Sequence, residues 1–295
     1  MSRETEKFFR EFENYIRGKD IEDEKELEKL LNEFVLKANT SSLPKKQNDP
    51  WEYLELAYNT DNEEDALKYC KKALKIDKNC LDAEILMIQL TAEDGEDAKR
   101  KYEKLLKKAE KHLKDEGVFV DENIGHFWGI VGTRPYMRLK YSYADLLIKQ
   151  GKYKKAIAEC ENLLVLSEND NLGVRYLLLS LYALFEDEKN TINLYKKYEE
   201  EQSVQMLLPI VALYYKLDDY KKAEIYLEKL NKANPKVKEV FQAINSLPDF
   251  GELEPINFNG YRLGSKEEVL TALDTCFFLY STTAGLVPWI LSKAN

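Results

Sequence analysis

"GKYKKAIAECENLLVLSEND", residues 151–170, decides the fold. Ala156, Cys160 and Leu163 stand four and then three residues apart, so their side chains share one face of a helix. The small residue lets a neighbouring helix approach, and the larger two fill the groove that results. Gly151 and Tyr153 sit just ahead, a turn glycine and an aromatic at the helix entry. The same triple recurs as Ala66/Cys70/Ala73 in "DNEEDALKYCKKALKID" (61–77) and Ala98/Tyr102/Leu105 in "GEDAKRKYEKLLKKA" (95–109). It returns as Thr191/Tyr195/Tyr198 in "KNTINLYKKY" (189–198) and Ala223/Leu227/Leu230 in "DDYKKAEIYLEKLNKANP" (218–235).

Ala66 to Ala98 is 32 residues, Ala156 to Thr191 is 35, and Thr191 to Ala223 is 32. These intervals bracket the tetratricopeptide period of about 34 residues. Tyr220 precedes Ala223 as Tyr153 precedes Ala156, Pro235 closes the last unit, and Ala144 takes the small position of a first helix. Over roughly 48–235 the chain resembles the tetratricopeptide-repeat family. The expected fold is all-α, a tetratricopeptide-type helical-hairpin solenoid with helical caps at both ends. A generic antiparallel helical bundle is the competing fold.

Ala98 to Ala156 is 58 residues, which places something like 24 extra residues between the second and third units. They extend a helix through Lys114 and then pass through "DEGVFVDENIGHFWGIVGTRP", where Gly117, Gly125, Gly129 and Gly132 mark a long loop. The expected organisation is an N-terminal helical cap at 1–47, units one and two at 48–115, an inserted loop at 116–134, units three to five at 135–235, and a C-terminal cap with a final helix at 236–295. In the first cap, "KFFREFENYI" (7–16) and "EKELEKLLNEFVLKA" (24–38) carry apolar stripes, and 39–50 is a loop or hinge. In the last, "KVKEVFQAINSL" is a closing helix and 248–268 is extended. Ser265 with Glu268 forms a capping box, and "AGLVPWILSKAN" folds back through Trp289 and Ile290.

A narrower resemblance covers about 125–295. "GHFWGIVGTRPYMR" (125–138), "NDNLGVRYLLLSLYAL" (169–184) and "GYRLGSKEEVLTALDT" (260–275) with "TAGLVPWI" (283–290) look like a bacterial group of tetratricopeptide proteins similar to the suppressor-of-tumorigenicity-seven family. The resemblance implies a repeat scaffold without established catalysis and supplies no substrate. Glu186 and Thr191 depart from the glycine and alanine usual in that repeat. Eukaryotic relatives are membrane-associated, which no segment of this chain matches.

The chain has 295 residues, 33% charged and 44% hydrophobic, with 12 Gly and 8 Pro, a mixture that favours a soluble helix-rich protein. The 19 tyrosines suit helix interfaces filled by large rings whose hydroxyls reach an edge. A net charge of −9 weighs against a nucleic-acid partner, which demands a basic stripe. No secretory signal core or membrane span is apparent, and the expected location is cytoplasmic. Cys70, Cys80, Cys160 and Cys276 show no metal-ligand spacing, and Cys70 and Cys160 fall on apolar faces.

His112 and His126 are the only histidines, and there is no H-E-x-x-H, Walker or G-x-S-x-G pattern. Neither metal nor cofactor is expected. Acidic pairs such as Glu63-Glu64 and Asp218-Asp219 are ordinary surface among 53 acidic residues, and an enzyme built on them or on Cys160 has no further support. The expectation is a non-enzymatic adaptor that holds a protein or peptide partner in the concave groove of units three to five. First-helix register places Arg138, Tyr141, Asp145 and Lys149 there, then Tyr176 and Ser180, then Gln205, Tyr215 and Lys216. The chaperone-tail clamp of some relatives uses a Lys and Asn pair where this chain has Tyr141 and Asp145, which disfavours that specialisation. The alternative is a regulatory sensor that binds a small acidic ligand through Arg134, Arg138 and Arg175, since guanidinium forks grip carboxylates. The competing role for these arginines is pairing with nearby acids. His126, Phe127 and Trp128 either pack the gap between units two and three or stack on a ligand, and packing is the expectation.

Overall fold

The structure, a computed structural model, describes residues 3–21, 23–40, 49–246 and 260–293. Of the expected elements, 41–48 of the hinge and 248–259 of the extended stretch lie outside these residues. The described residues form sixteen α-helices and no strand, so the fold is all-α. Their one extended pairing is an antiparallel bridge between His126 and Ser167. Among them no helix is long and apolar enough to cross a membrane.

The chain divides into two compact units, Met1–Lys152 with Asn162–Asn171, and Tyr153–Glu161 with Leu172–Asn295. The first holds α1 (Arg3–Ile16), α2 (Glu24–Asn39), α3 (Pro50–Tyr58), α4 (Glu63–Ile76), α5 (Leu81–Thr91), α6 (Gly95–Asp115) and α7 (Arg134–Lys149). Each helix from α3 to α6 packs on its successor, and α7 also packs on α5. Trp51, Leu54 and Ala57 of α3 meet Cys70 and Ala73 of α4 and Ala83 of α5 in one core. Phe8, Phe12 and Tyr15 of α1 surround the buried Phe34 of α2, with ring centroids 5.1–5.5 Å apart.

Next along the chain is α8 (Tyr153–Leu166). The second unit continues with α9 (Val174–Leu184), α10 (Glu188–Lys197), α11 (Val204–Lys216), α12 (Tyr220–Ala233), α13 (Val237–Asn245), α14 (Lys266–Thr275), α15 (Phe277–Thr282) and α16 (Leu286–Lys293). Its centre is α11, where every residue from Val204 to Tyr214 is buried. The sequence "VQMLLPIVALYYK" is apolar all round, and such a helix has no face to give to water. Accordingly α9, α10, α12, α14 and α15 all pack on it. Trp289 of α16 rests 5.4 Å from the Tyr215 ring, and Ile290 is buried, so the final helix folds back on its own unit.

Local chemistry explains the helix ends. Side chains of Asn62, Asp94, Asp187 and Asp219 accept from the backbone N–H three residues on, capping α4, α6, α10 and α12. One turn appears four times, at the C-termini of α6, α7, α9 and α11; at α6 the Val118 N–H donates to the Leu113 carbonyl at 2.9 Å with Gly117 at φ 71°. The N–H groups of Lys152, Asp187 and Asp219 donate to the carbonyls of Leu147, Tyr182 and Tyr214 at 2.8, 3.0 and 3.0 Å. Gly151, Glu186 and Asp218 take the left-handed conformation, with φ of 68°, 59° and 56°. This is the Schellman closure, and at α7, α9 and α11 it lies five residues before Ala156, Thr191 and Ala223 respectively. Glu186 thus adopts the glycine conformation without being glycine. At the other end, Asp77, Ser167 and Asn234 are extended caps, each eleven residues after Ala66, Ala156 and Ala223. All fifteen residues of the triples except Tyr198 are buried.

The 116–134 stretch forms three short 3-10 turns, Asp121–Asn123, Phe127–Gly129 and Val131–Thr133. Phe127 and Trp128 are buried, and Phe119 meets Phe127 at 4.9 Å and Tyr136 at 5.8 Å. His126 is exposed; only its backbone is engaged, in the bridge to Ser167. The capping box at α14 is half realised. Ser265 accepts from the Glu268 N–H at 3.3 Å, but the buried Glu268 carboxylate accepts from the N–H groups of Gly264 and Val204 and from Asn234 Nδ2. It satisfies the start of α11 as well as the turn before α14, which the local motif does not foresee.

Candidate functional site

Five of the residues singled out in the sequence lie on α7, in the first unit: Arg134, Arg138, Tyr141, Asp145 and Lys149. Pro135 in the first turn fixes the entry of that helix. Arg134 is buried, its Nε donates to the Trp128 carbonyl at 2.8 Å, and its guanidinium lies 5.5 Å from the Trp128 ring centre. It therefore ties the inserted stretch to α7. Arg138 sits one turn further, between two carboxylates. Its Nε and Nη2 donate to Asp82 at 2.8 and 2.6 Å, and its Nη1 and Nη2 donate to Glu6 at 2.8 and 3.2 Å. Glu6 and Asp82 are each only 4% exposed. Burial alone would lower the Arg138 pKa, but the hydrogen bonds and charges of Asp82 and Glu6 hold it well above its usual value. Tyr141 and Asp145 are half-buried and Lys149 is exposed, with Lys149 Nζ 2.8 Å from Asp145.

The other five lie in the second unit, where α9 carries Arg175, Tyr176 and Ser180, and α11 carries Gln205 and Tyr215. Arg175 Nε and Nη2 donate to Glu201 Oε2 at 2.9 and 2.8 Å. The Tyr176 hydroxyl accepts from Arg175 Nη2 and donates to Glu201 Oε1, both at 2.6 Å, and Ser203 Oγ donates to the same oxygen at 2.7 Å. Burial tends to raise the Glu201 pKa, yet the hydrogen bonds from Tyr176, Ser203 and Arg175 hold it below the usual carboxylate range. Burial and the Glu201 carboxylate together push the Tyr176 phenol up. Ser180 is buried and donates to the Tyr176 carbonyl one turn back at 2.9 Å. Gln205, also buried, accepts from the Tyr261 hydroxyl at 2.7 Å. Tyr215 is half-buried against Trp289, and Lys216 caps α9 by donating to the Ala183 and Leu184 carbonyls.

The structure thus brings Arg134 and Arg138 together on one helix, whereas Arg175 belongs to the other unit with its own acid. Arg134, Ser180 and Gln205 are interior side chains. Glu6, Asp82, Glu201, Ser203 and Tyr261 complete these clusters and carry no sequence signal. Glu6 is 132 residues from Arg138, and among 53 acids nothing distinguishes it. The tyrosines behave as their number suggests: Tyr143 donates to Glu103 at 2.8 Å and Tyr182 to Glu161 at 2.7 Å. All four cysteines are free and buried, and burial pushes the Cys80 thiol up to about 12, far from a thiolate nucleophile at neutral pH. Among the described residues no three His, Cys, Asp or Glu side chains gather as a metal set.

No protein-family model matches the chain, and no curated protein matches it.

Proposed function

We propose that the chain is a non-enzymatic helical-repeat adaptor of the tetratricopeptide type, akin to the group similar to the suppressor-of-tumorigenicity-seven family, and that it acts in the cytoplasm. Its partner is a protein or peptide held along the first helices of units three to five. The supporting observation is the Schellman turn repeated at 147–152, 182–187 and 214–219, in the same register as the small residues Ala156, Thr191 and Ala223. Repeated hairpins hide one side of each helix and leave a polar side for other molecules. Of the candidate residues Lys149 is exposed, and Tyr141, Asp145 and Tyr215 are half-buried, as are Arg138, Arg175 and Tyr176, which already serve internal ion clusters; half-buried tyrosines bind peptides with little loss of rotamer freedom.

The acidic-ligand sensor built on Arg134, Arg138 and Arg175 has less support, because Arg138 and Arg175 already hold carboxylates and Arg134 a backbone carbonyl. Quantitative affinity capture compares wild type with a Tyr141→Ala/Lys149→Glu/Tyr215→Ala variant of equal thermal stability. Selective loss of a partner from the variant is the expected result. Identical recovery of every captured protein would overturn the groove assignment.

A further inference from the structure

The chain is acidic, with a net charge of −9, yet one helix is strongly basic. Residues 99–114 of α6 hold eight Lys or Arg and two Glu. Ala98, Tyr102, Leu105, Ala109 and Leu113 form the buried side of that helix. At about 3.6 residues per turn, Arg100, Lys104, Lys107, Lys111 and Lys114 fall on the opposite side, and all five are exposed. They stand four or three residues apart, one cation to each turn, and span about 21 Å of helix axis.

The two ends of this stripe are matched and its middle is not. Arg100 pairs with Asp97, and Lys114 with Glu110. Lys104, Lys107 and Lys111 have no ion pair or hydrogen bond among the described residues. Their neighbours three and four residues away explain this. Lys104 has Arg100, Lys101, Lys107 and Lys108 at those positions, all of them cations. Lys111 has Lys107, Lys108 and Lys114 against Asp115 alone. Lys107 has Glu103 and Glu110, but Glu103 accepts from Tyr143 and Glu110 serves Lys114. Like charges at this spacing weaken a helix, so the stripe works against the fold that carries it, and an anionic partner would relieve the repulsion.

The surroundings of the stripe select the kind of anion. Glu96, Glu103 and Glu110, seven residues apart, run along one flank with side chains 60, 40 and 43% exposed. A membrane plane or a nucleic-acid duplex broad enough to cover the stripe would meet these carboxylates as well. Tyr102, the one Phe, Tyr or Trp of α6, is buried, so the helix offers no ring for bases to stack on. A single peptide, about 10 Å across when helical, fits the stripe alone and repeats its carboxylates at the same turn spacing. We propose that the outer face of α6 binds an acidic peptide segment of a partner protein, its carboxylates paired with Lys104, Lys107 and Lys111. This helix holds none of the residues of the adaptor assignment, so either can fail alone.

The test uses the full chain and a fluorescent alanine-based peptide with glutamates spaced four and three residues apart, beside the same peptide with glutamines. Anisotropy at low salt is expected to show saturable binding of the glutamate peptide, at least about tenfold tighter than of the glutamine peptide, the product of three exposed ion pairs. Raising the salt is expected to erase the difference. Lys104→Gln/Lys107→Gln/Lys111→Gln is expected to lose it too. Lys71→Gln/Lys154→Gln/Lys155→Gln removes the same charge from other exposed positions and is expected to keep the affinity within about threefold, because distant charges are screened. If the stripe variant does not fold, acetylation of the wild-type chain decides instead: the glutamate peptide is expected to protect Lys104, Lys107 and Lys111, and unchanged acetylation refutes the site. Oligothymidylate and phosphatidylserine vesicles are the competing anions. Equal binding of the glutamine peptide, full affinity in the stripe variant, the same loss in the control variant, tighter binding of oligothymidylate or vesicles, or a dimer of the chain that the stripe variant abolishes on sedimentation would overturn the assignment.

Discussion

The turn at 182–187 and the ion cluster at Arg138 both fix the position of a helix, but they draw on very different lengths of chain. The turn closes within six residues, and its hydrogen bond runs from Asp187 N–H to the Tyr182 carbonyl. The cluster joins Arg138 to Asp82, 56 residues away, and to Glu6, 132 residues away. A local closure can be repeated, and this one is, at 113–118, 147–152 and 214–219. A cluster assembled from three separate helices occurs once and leaves no period to detect. It also concentrates energy: two buried carboxylates depend on one guanidinium, whereas each turn risks only a backbone conformation.

The largest effect is therefore expected at Arg138. Arg138→Met strands Glu6 and Asp82 in the interior, and breaking a buried ion pair in this way costs about 3–5 kcal/mol. The denaturant midpoint measures it; a loss below about 1 kcal/mol would mean that the cluster is solvated and the contrast with the turns is false. Arg175→Ala comes next, at about 1–2 kcal/mol, because Glu201 keeps Tyr176 and Ser203 as donors. Its signature lies in acid. The Glu201 pKa is depressed on folding, so its contribution is present above the unfolded value of about 4.3 and lost as pH falls through the lower folded value. Melting temperatures across that acid range are expected to fall less steeply in Arg175→Ala than in wild type.

Gly151→Ala tests the turns. A Cβ there meets nothing within 4 Å, so the cost is that of a left-handed alanine alone, about 1 kcal/mol. The converse change, Glu186→Gly, is expected to stabilise by about 0.5 kcal/mol, relief of a positive φ less the added freedom of the unfolded chain. If chemical denaturation shows Glu186→Gly to be destabilising by more than that, the ion pair of Glu186 with Lys216 matters more than backbone strain. The smallest effect belongs to the exposed Asp145–Lys149 pair, where Lys149→Ala is expected to change the unfolding free energy by less than about 0.5 kcal/mol.

Helices were legible wherever an apolar triple met a capping residue. The stretch 61–77 holds α4 (Glu63–Ile76) with its Asn62 cap, and 218–235 holds α12 (Tyr220–Ala233) with its Asp219 cap. The extension of α6 through Lys114 was legible too. Packing of Phe127 and Trp128 followed from their size, but the exposure of His126 did not, because a neighbour's burial says nothing about which way the next side chain points in a 3-10 turn. The candidate site was legible only as residue types. Register placed Gln205 and Ser180 on a polar face, yet α11 is buried all round and Ser180 turns back on its own helix.

Sequence by itself determined the all-helical class, the position of the small residues and the turns that follow from them, since each depends on atoms a few residues apart. Tertiary structure alone decided which of the arginines are spent on internal carboxylates and which on a backbone carbonyl. Arg134, Arg138 and Arg175 have the same side chain. What separates them is the acids that distant helices bring within hydrogen-bonding range, and no local pattern records that.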